Sequence, residues 1–130
     1  PEWIAHHAPS GRMLVARTNY TRRVAADSPR ASVNRVDGST RAGSAQPPVD
    51  AANPRADNAF GHLLSWREDG DDAAATGFDW DLFMLGGHGE DASLGARDAV
   101  RGTMRGDGFA APDGLWVDPG GLLWIHTDMS

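Results

Sequence analysis

Pro112-Asp113-Gly114-Leu115-Trp116-Val117-Asp118-Pro119-Gly120-Gly121-Leu122-Leu123-Trp124-Ile125-His126-Thr127-Asp128 reads as an acid, a short apolar strand, a Gly-rich turn and a second apolar strand. The same order stands at the other end of the chain, in Pro1-Glu2-Trp3-Ile4-Ala5-His6-His7-Ala8-Pro9-Ser10-Gly11-Arg12-Met13-Leu14-Val15-Ala16-Arg17-Thr18-Asn19. Each copy runs Pro-acid, strand, Pro-x-Gly turn, strand, then Thr-Asn or Thr-Asp. Two single-residue slips separate them in length, one expected in each strand. In the first copy the strands are Ile4 to His6 and Met13 to Thr18. The turn at positions 8 to 11 is short enough to pair them as an antiparallel hairpin. Met13, Val15 and Arg17 alternate with Leu14, Ala16 and Thr18. Both faces of this strand are thus largely apolar, and it is expected between two layers.

Between the copies lie two further strands. Gly61 to Glu68 places Leu64 and Trp66 on one face and Leu63, Ser65 and Arg67 on the other. Phe78 to Leu85 shows an unbroken apolar face of Phe78, Trp80, Leu82 and Met84, with Asp79 and Asp81 pointing the opposite way. From Tyr20 to Ala59 periodicity is lost among Arg, Ser, Ala, Asp and Pro. A stretch this long without elements is a functional loop or disordered; it is expected to be mobile around 28–48 and ordered near its end. Residues 86–108 form a second loop, in which Ala92 to Arg105 could make a weak helix. Four antiparallel strands followed by the opening of another set predict an all-β fold. It is a partial β-propeller: one four-stranded blade plus the first hairpin of the next.

A propeller needs several such sheets, so the 130 residues are expected to be a fragment of a single propeller domain. The chain opens at Pro1 without Met and closes just after a strand-like run, which fits that expectation. It holds 12 Arg and no Lys, and 15 Asp against 3 Glu, a bias of GC-rich bacterial genomes. The formal charge of −6 and the lack of a basic patch with interleaved aromatics argue against nucleic-acid binding. There are no cysteines, hence no disulfide or thiolate ligand within these residues. No apolar run reaches the length of a membrane span, and no signal peptide is visible.

Glu2 and Asp113 head equivalent innermost strands. In a propeller such positions border the mouth of the central channel. Two carboxylates converging there are costly without a cation. Hard oxygen ligands suit calcium or magnesium, and with nitrogen or sulfur partners they also hold iron or manganese. The alternative is that each acid only caps a turn. His6 and His7 are adjacent and face opposite sides of a strand, so they cannot hold one ion together; surface or hairpin positions suit them better. His126 alternates with Leu122 and Trp124 as a sheet histidine, and His62 and His88 carry no assigned role. Asp69-Gly70-Asp71-Asp72 resembles a scrap of a calcium loop. It lacks the later Gly and the bidentate Glu, and reads better as a solvated turn. No Gly-x-Ser-x-Gly nucleophile elbow is present. Arg55, within the polar group Asn53, Arg55 and Asn58, is a weak candidate for clamping a phosphate; bonding to loop carbonyls explains it equally well.

Several blocks together resemble the PhoX-type bacterial alkaline phosphatases. They are Pro1-Glu2-Trp3-Ile4-Ala5, Thr18-Asn19, and Ala52-Asn53-Pro54-Arg55-Ala56-Asp57-Asn58-Ala59-Phe60-Gly61-His62 through Trp66-Arg67-Glu68. Phe78-Asp79-Trp80-Asp81-Leu82-Phe83 and the Pro112 to Asp128 block complete the set, in the family's order and over about half the chain. The resemblance implies a six-bladed propeller hydrolysing phosphate monoesters, a small-molecule substrate, at a calcium and iron centre. By it, Glu2 and Asp113 match metal-binding acids, and an iron-bridging Cys and substrate-binding arginines lie outside these residues. It also implies a periplasmic or secreted parent. Tyr20 stands where a second Asn is usual and Met129 where Gly is usual, and the Arg- and Ser-rich insert around Ser28 to Pro48 reads as private to this chain. Two alternatives stay open from the residues alone: a lactonase-like propeller hydrolase with one divalent cation, or a non-catalytic propeller that binds partners.

Overall fold

Two-residue alternation of apolar side chains becomes six strands in the computed structural model, which describes residues 1–43, 45–87 and 108–128. They are β1 (Trp3–His7), β2 (Arg12–Arg17), β3 (His62–Glu68), β4 (Phe78–Leu85), β5 (Pro112–Val117) and β6 (Leu123–Thr127). The first four form one antiparallel sheet in the order β1-β2-β3-β4, and β5-β6 is a separate antiparallel hairpin. This is one blade and the first hairpin of the next. Each strand lies within a few residues of its expected place. The region Pro1–Asn19 with Phe60–Ser130 is one compact unit and Tyr20–Ala59 is another.

Register decides which side chains share a face. Ala5 pairs with Leu14, and Ala16 with Leu63, and this side carries the core. Buried Leu14, Ala16 and Leu63 meet Leu115, with Ala5, Met84, Phe109, Leu123 and Ile125 packed around them. The β5-β6 hairpin therefore lays its Leu115, Leu123 and Ile125 side on the blade, while Trp116 and Trp124 pair on its outer side. Leu14, Val15 and Ala16 are all buried, as the two apolar faces of β2 require. The other face of the blade joins Ile4, Val15, Leu64, Trp66, Leu82 and Trp80 by their pairings. Its margins are open: Ile4, Phe78 and Trp80 are exposed.

The expected unbroken apolar face of β4 is corrected by the structure. Leu64 pairs with Leu82, but Leu63 pairs with Met84, so the register shifts between them. One extra residue at Phe83 turns Met84 to the opposite face, as a β-bulge does. Met84 joins the core and Phe83 is exposed. The expected slip in the first strand of the repeat is corrected too. His7 pairs with Arg12 across the four residues 8–11, while Asp118 donates its N–H to Leu122 across only three, 119–121. That residue belongs to the turn, where insertion leaves the strand faces unchanged.

On the core side of the blade, three strands share a polar tie. Arg12 Nε donates to Ser65 Oγ (3.0 Å), the Ser65 hydroxyl donates to Asp81, and Arg12 also pairs with Asp81 (3.2 Å). Ser65 is fully buried, so its hydroxyl needs both partners.

Tyr20–Ala59 has turns and single bridges instead of strands. Tyr20 bridges Asn58, Val24 bridges Pro48, Ala31 bridges Gln46 and Val33 bridges Thr40. Asn34 Oδ1 accepts the N–H of Val36 (2.8 Å), a local bond that Asn offers to turns. These bonds run through the 28–48 stretch. The proposed helix at Ala92 to Arg105 lies outside the described residues.

Candidate functional site

Glu2 stands just ahead of β1, its N–H donating to Ala16 O at 3.0 Å. Its side chain is exposed. Asp113 is the second residue of β5 and half-buried. The β5-β6 pairing skips from Pro112 to Leu115, so Asp113 and Gly114 sit in an irregularity that frees Asp113 from strict alternation. Pro112, just before it, is fully buried. Ala111 adopts a left-handed φ of 46°. It is held there by its N–H donating to Phe60 O (2.8 Å) and its carbonyl accepting from Asp128 (3.0 Å).

Gly61 explains how the second head is seated. Its φ is +73°, and a Cβ there would strike Arg17 O and stand 2.8 Å from Pro112 Cδ. Only glycine allows this approach. Pro112 thus lies beside the Arg17 end of β2, and Glu2 lies at that same end, since Trp3 pairs with Ala16. β1 also packs on β5. The two acids sit at one end of two neighbouring strands.

The structure does not gather the other candidates there. A cleft of about 350 Å³ at the opposite end is lined by Arg12, Arg67, Glu68, Asp69, Asp71 and Asp79, with Arg67 and Asp71 3.6 Å apart. The Asp69 to Asp72 segment is an exposed turn. Arg55 is buried within the Tyr20–Ala59 unit, as is Asn58. Arg23 pairs with Asp50 at 2.8 Å, and Asn53 donates to the same carboxylate at 2.8 Å. Burial pushes Asp50 upward, but the bonds from Asn53 and Arg23 outweigh it and hold the carboxyl below its ordinary range. His62 is buried in β3, and His6 and His126 are exposed.

Among the described residues, no group of three or more His, Cys, Asp or Glu is placed to hold a metal ion. Glu2 and Asp113 fit a hard cation in chemistry, as accessible carboxylate donors, but at most as part of a ligand set.

The whole chain, residues 1–130, matches the family model for alkaline phosphatase PhoX. The chain belongs to the PhoX family. A solved structure, Pseudomonas fluorescens PhoX in complex with vanadate, a transition state analogue, is similar to it with a TM-score of 0.73 and 32% identity. That likeness covers 100% of this chain and 19% of the other, so this PhoX-family chain spans about one fifth of its neighbour's length. No match was found among curated proteins. Membership settles the partial propeller as the fold. It also favours the phosphatase reading over the lactonase-like and non-catalytic ones.

Proposed function

We propose that this chain is part of a phosphatase that hydrolyses phosphate monoesters at a metal centre, with calcium and iron as the metals. The observation that carries the reading is the placement of Glu2 and Asp113 at one end of neighbouring strands of two blades, in a chain of the PhoX family. A vanadate-bound relative supports the same reading, because vanadate imitates a phosphoryl group in transfer. The parent is a six-bladed propeller, exported to the periplasm or beyond.

In this proposal Glu2 and Asp113 hold cations through their carboxylate oxygens. When bound, such a centre polarises phosphoryl oxygens, offsets their charge and activates an oxygen nucleophile. The chain's own contribution is orientation. Gly61 and buried Pro112 fix the backbone that carries Asp113, and the Glu2 N–H bond fixes the backbone at the first head. Arg55, buried in a separate unit, keeps the weaker role of a phosphate contact.

The test is Glu2→Gln and Asp113→Asn in the complete gene product, with metal analysis beside p-nitrophenyl phosphate kinetics. An amide keeps the shape and removes the charge that the cation needs. Each variant should lose bound metal and drop kcat by about 100-fold or more, a typical loss for a group that stabilises transition-state charge. Asp79→Asn, on an exposed face, should change neither. Full metal content with normal rates in both amide variants would leave the two acids as turn caps only.

A further inference from the structure

The two hairpin turns meet at the end of the blade opposite Glu2 and Asp113, and His7 joins them. His7 Nε2 lies 3.0 Å from Gly121 O, across 114 positions of sequence, and Nδ1 lies 2.7 Å from Ser10 Oγ. A carbonyl only accepts, so Nε2 carries the hydrogen and donates it to Gly121. In that neutral form Nδ1 accepts from the Ser10 hydroxyl. The contact is close elsewhere too. Gly121 has φ +85°, and a Cβ there would stand 3.0 Å from Pro9 Cγ.

The repeat shows that this use of the position is particular. By register, His7 of the first hairpin corresponds to Asp118 of the second. Asp118 turns inward: its carboxylate accepts from Gly120 N, Leu122 N and Trp124 Nε1, all within its own hairpin. His7 bonds the Ser10 hydroxyl in its own turn and reaches across to the next blade as well.

We propose that His7 is a positioning residue that fastens the β5-β6 hairpin to the first blade and thereby sets Asp113 relative to Glu2. Apolar packing of Leu115, Leu123 and Ile125 is non-directional and leaves the hairpin free to rock. Directional contacts at both ends stop that motion. At the head, Ala111 donates to Phe60 O, and Pro112 abuts Gly61. At the turn, His7 holds Gly121. A hairpin pinned at both ends carries Asp113 at one orientation. The catalytic half of this inference rests on the proposed metal centre; the fastening half does not.

The experiment compares wild type, His7→Gln and His7→Phe in the complete gene product. Gln retains an N–H that reaches Gly121; Phe fills the volume without it. Hydrogen exchange is followed at 111–115 and 118–123, and kcat, KM and bound metal are measured with p-nitrophenyl phosphate. His7→Phe should speed exchange at both segments about fivefold, the change produced by losing about one net hydrogen bond. It should lower kcat several-fold with KM little moved, and His7→Gln should restore both. If the Phe variant does not fold, His7→Asn, which keeps the Ser10 bond but falls short of Gly121, takes its place with the same expectation. Wild-type exchange at both segments in the Phe or Asn variant overturns the fastening, as does failure of Gln to restore. Exchange that rises while kcat and metal content hold overturns the positioning of Asp113. A wild-type protein with no phosphatase turnover overturns the metal-centre reading and, with it, the catalytic half, while exchange still decides the fastening.

Discussion

Asp118 shows how one side chain can complete a turn. One oxygen accepts from Gly120 N (2.8 Å) and Leu122 N (3.0 Å), and the other from Trp124 Nε1 (3.1 Å). The indole bond, then the Leu122 amide, hold its carboxyl below the usual aspartate value of 3.8, against an opposing effect of desolvation. A carboxyl depressed on folding stabilises the hairpin above its unfolded pKa, and that contribution is lost as pH falls through the folded value. The indole N–H resonance of Trp124 should therefore titrate with a midpoint below 3.8. It should lose that transition in Asp118→Asn. A midpoint at or above the ordinary value would show that the carboxylate does not hold the indole in solution. Gly61 makes a second case at this scale. Gly61→Ala forces a left-handed alanine against Arg17 O and Pro112 Cδ, and should cost about 1–3 kcal/mol in denaturant unfolding. An unchanged midpoint would mean that the approach of Pro112 to Gly61 is looser than the structure has it.

At the scale of elements, the blade is held by few large side chains. Leu63 is wholly buried at the centre of the cluster with Leu14, Ala16 and Leu115. Both the β2-β3 ladder and the packing of the second hairpin depend on it. Leu63→Ala should destabilise the fold by about 2–5 kcal/mol, the range for emptying a leucine site that cannot collapse. Chemical denaturation of the complete protein measures this, and a loss below about 1 kcal/mol would show a core that closes over the gap. The Arg12–Asp81 pair contributes less, since Asp81 is exposed and such pairs are screened. The buried Ser65 hydroxyl between them matters more than the charges.

For the whole molecule, the described faces leave large aromatic groups in the open. Trp116 and Trp124 stand 58% and 57% exposed on the outer side of the second hairpin. Their rings are 6.4 Å apart and tilted by 32°. Ile4, Phe78 and Trp80 do the same on the far side of the blade. Apolar surface gathered in this way favours association. Residues 1–130 expressed alone should self-associate, unfold over a broad range and show no phosphatase turnover. Sedimentation and thermal unfolding check this, and a monomer with sharp cooperative unfolding would contradict it.

The strands, the turns and the family were legible in the residues because they depend on local order. Alternation at Phe78 to Leu82 and at Leu115 to Val117 needs no partner to be seen, and the Pro-acid heads mark where each repeat begins. That Glu2 and Asp113 head corresponding strands was legible only through repetition, which implies matching positions without giving a distance. Tertiary structure alone decided the rest. The bulge at Phe83 moves Met84 into the core because β4 must match β3 residue for residue, a constraint absent from either strand by itself. The left-handed Ala111 is set by two bonds from distant chain. His7 and Gly121 meet only after both hairpins have formed and packed, so no window of sequence contains the contact. Local chemistry chooses the elements, and the directional contacts between them exist only once non-directional packing has brought them together.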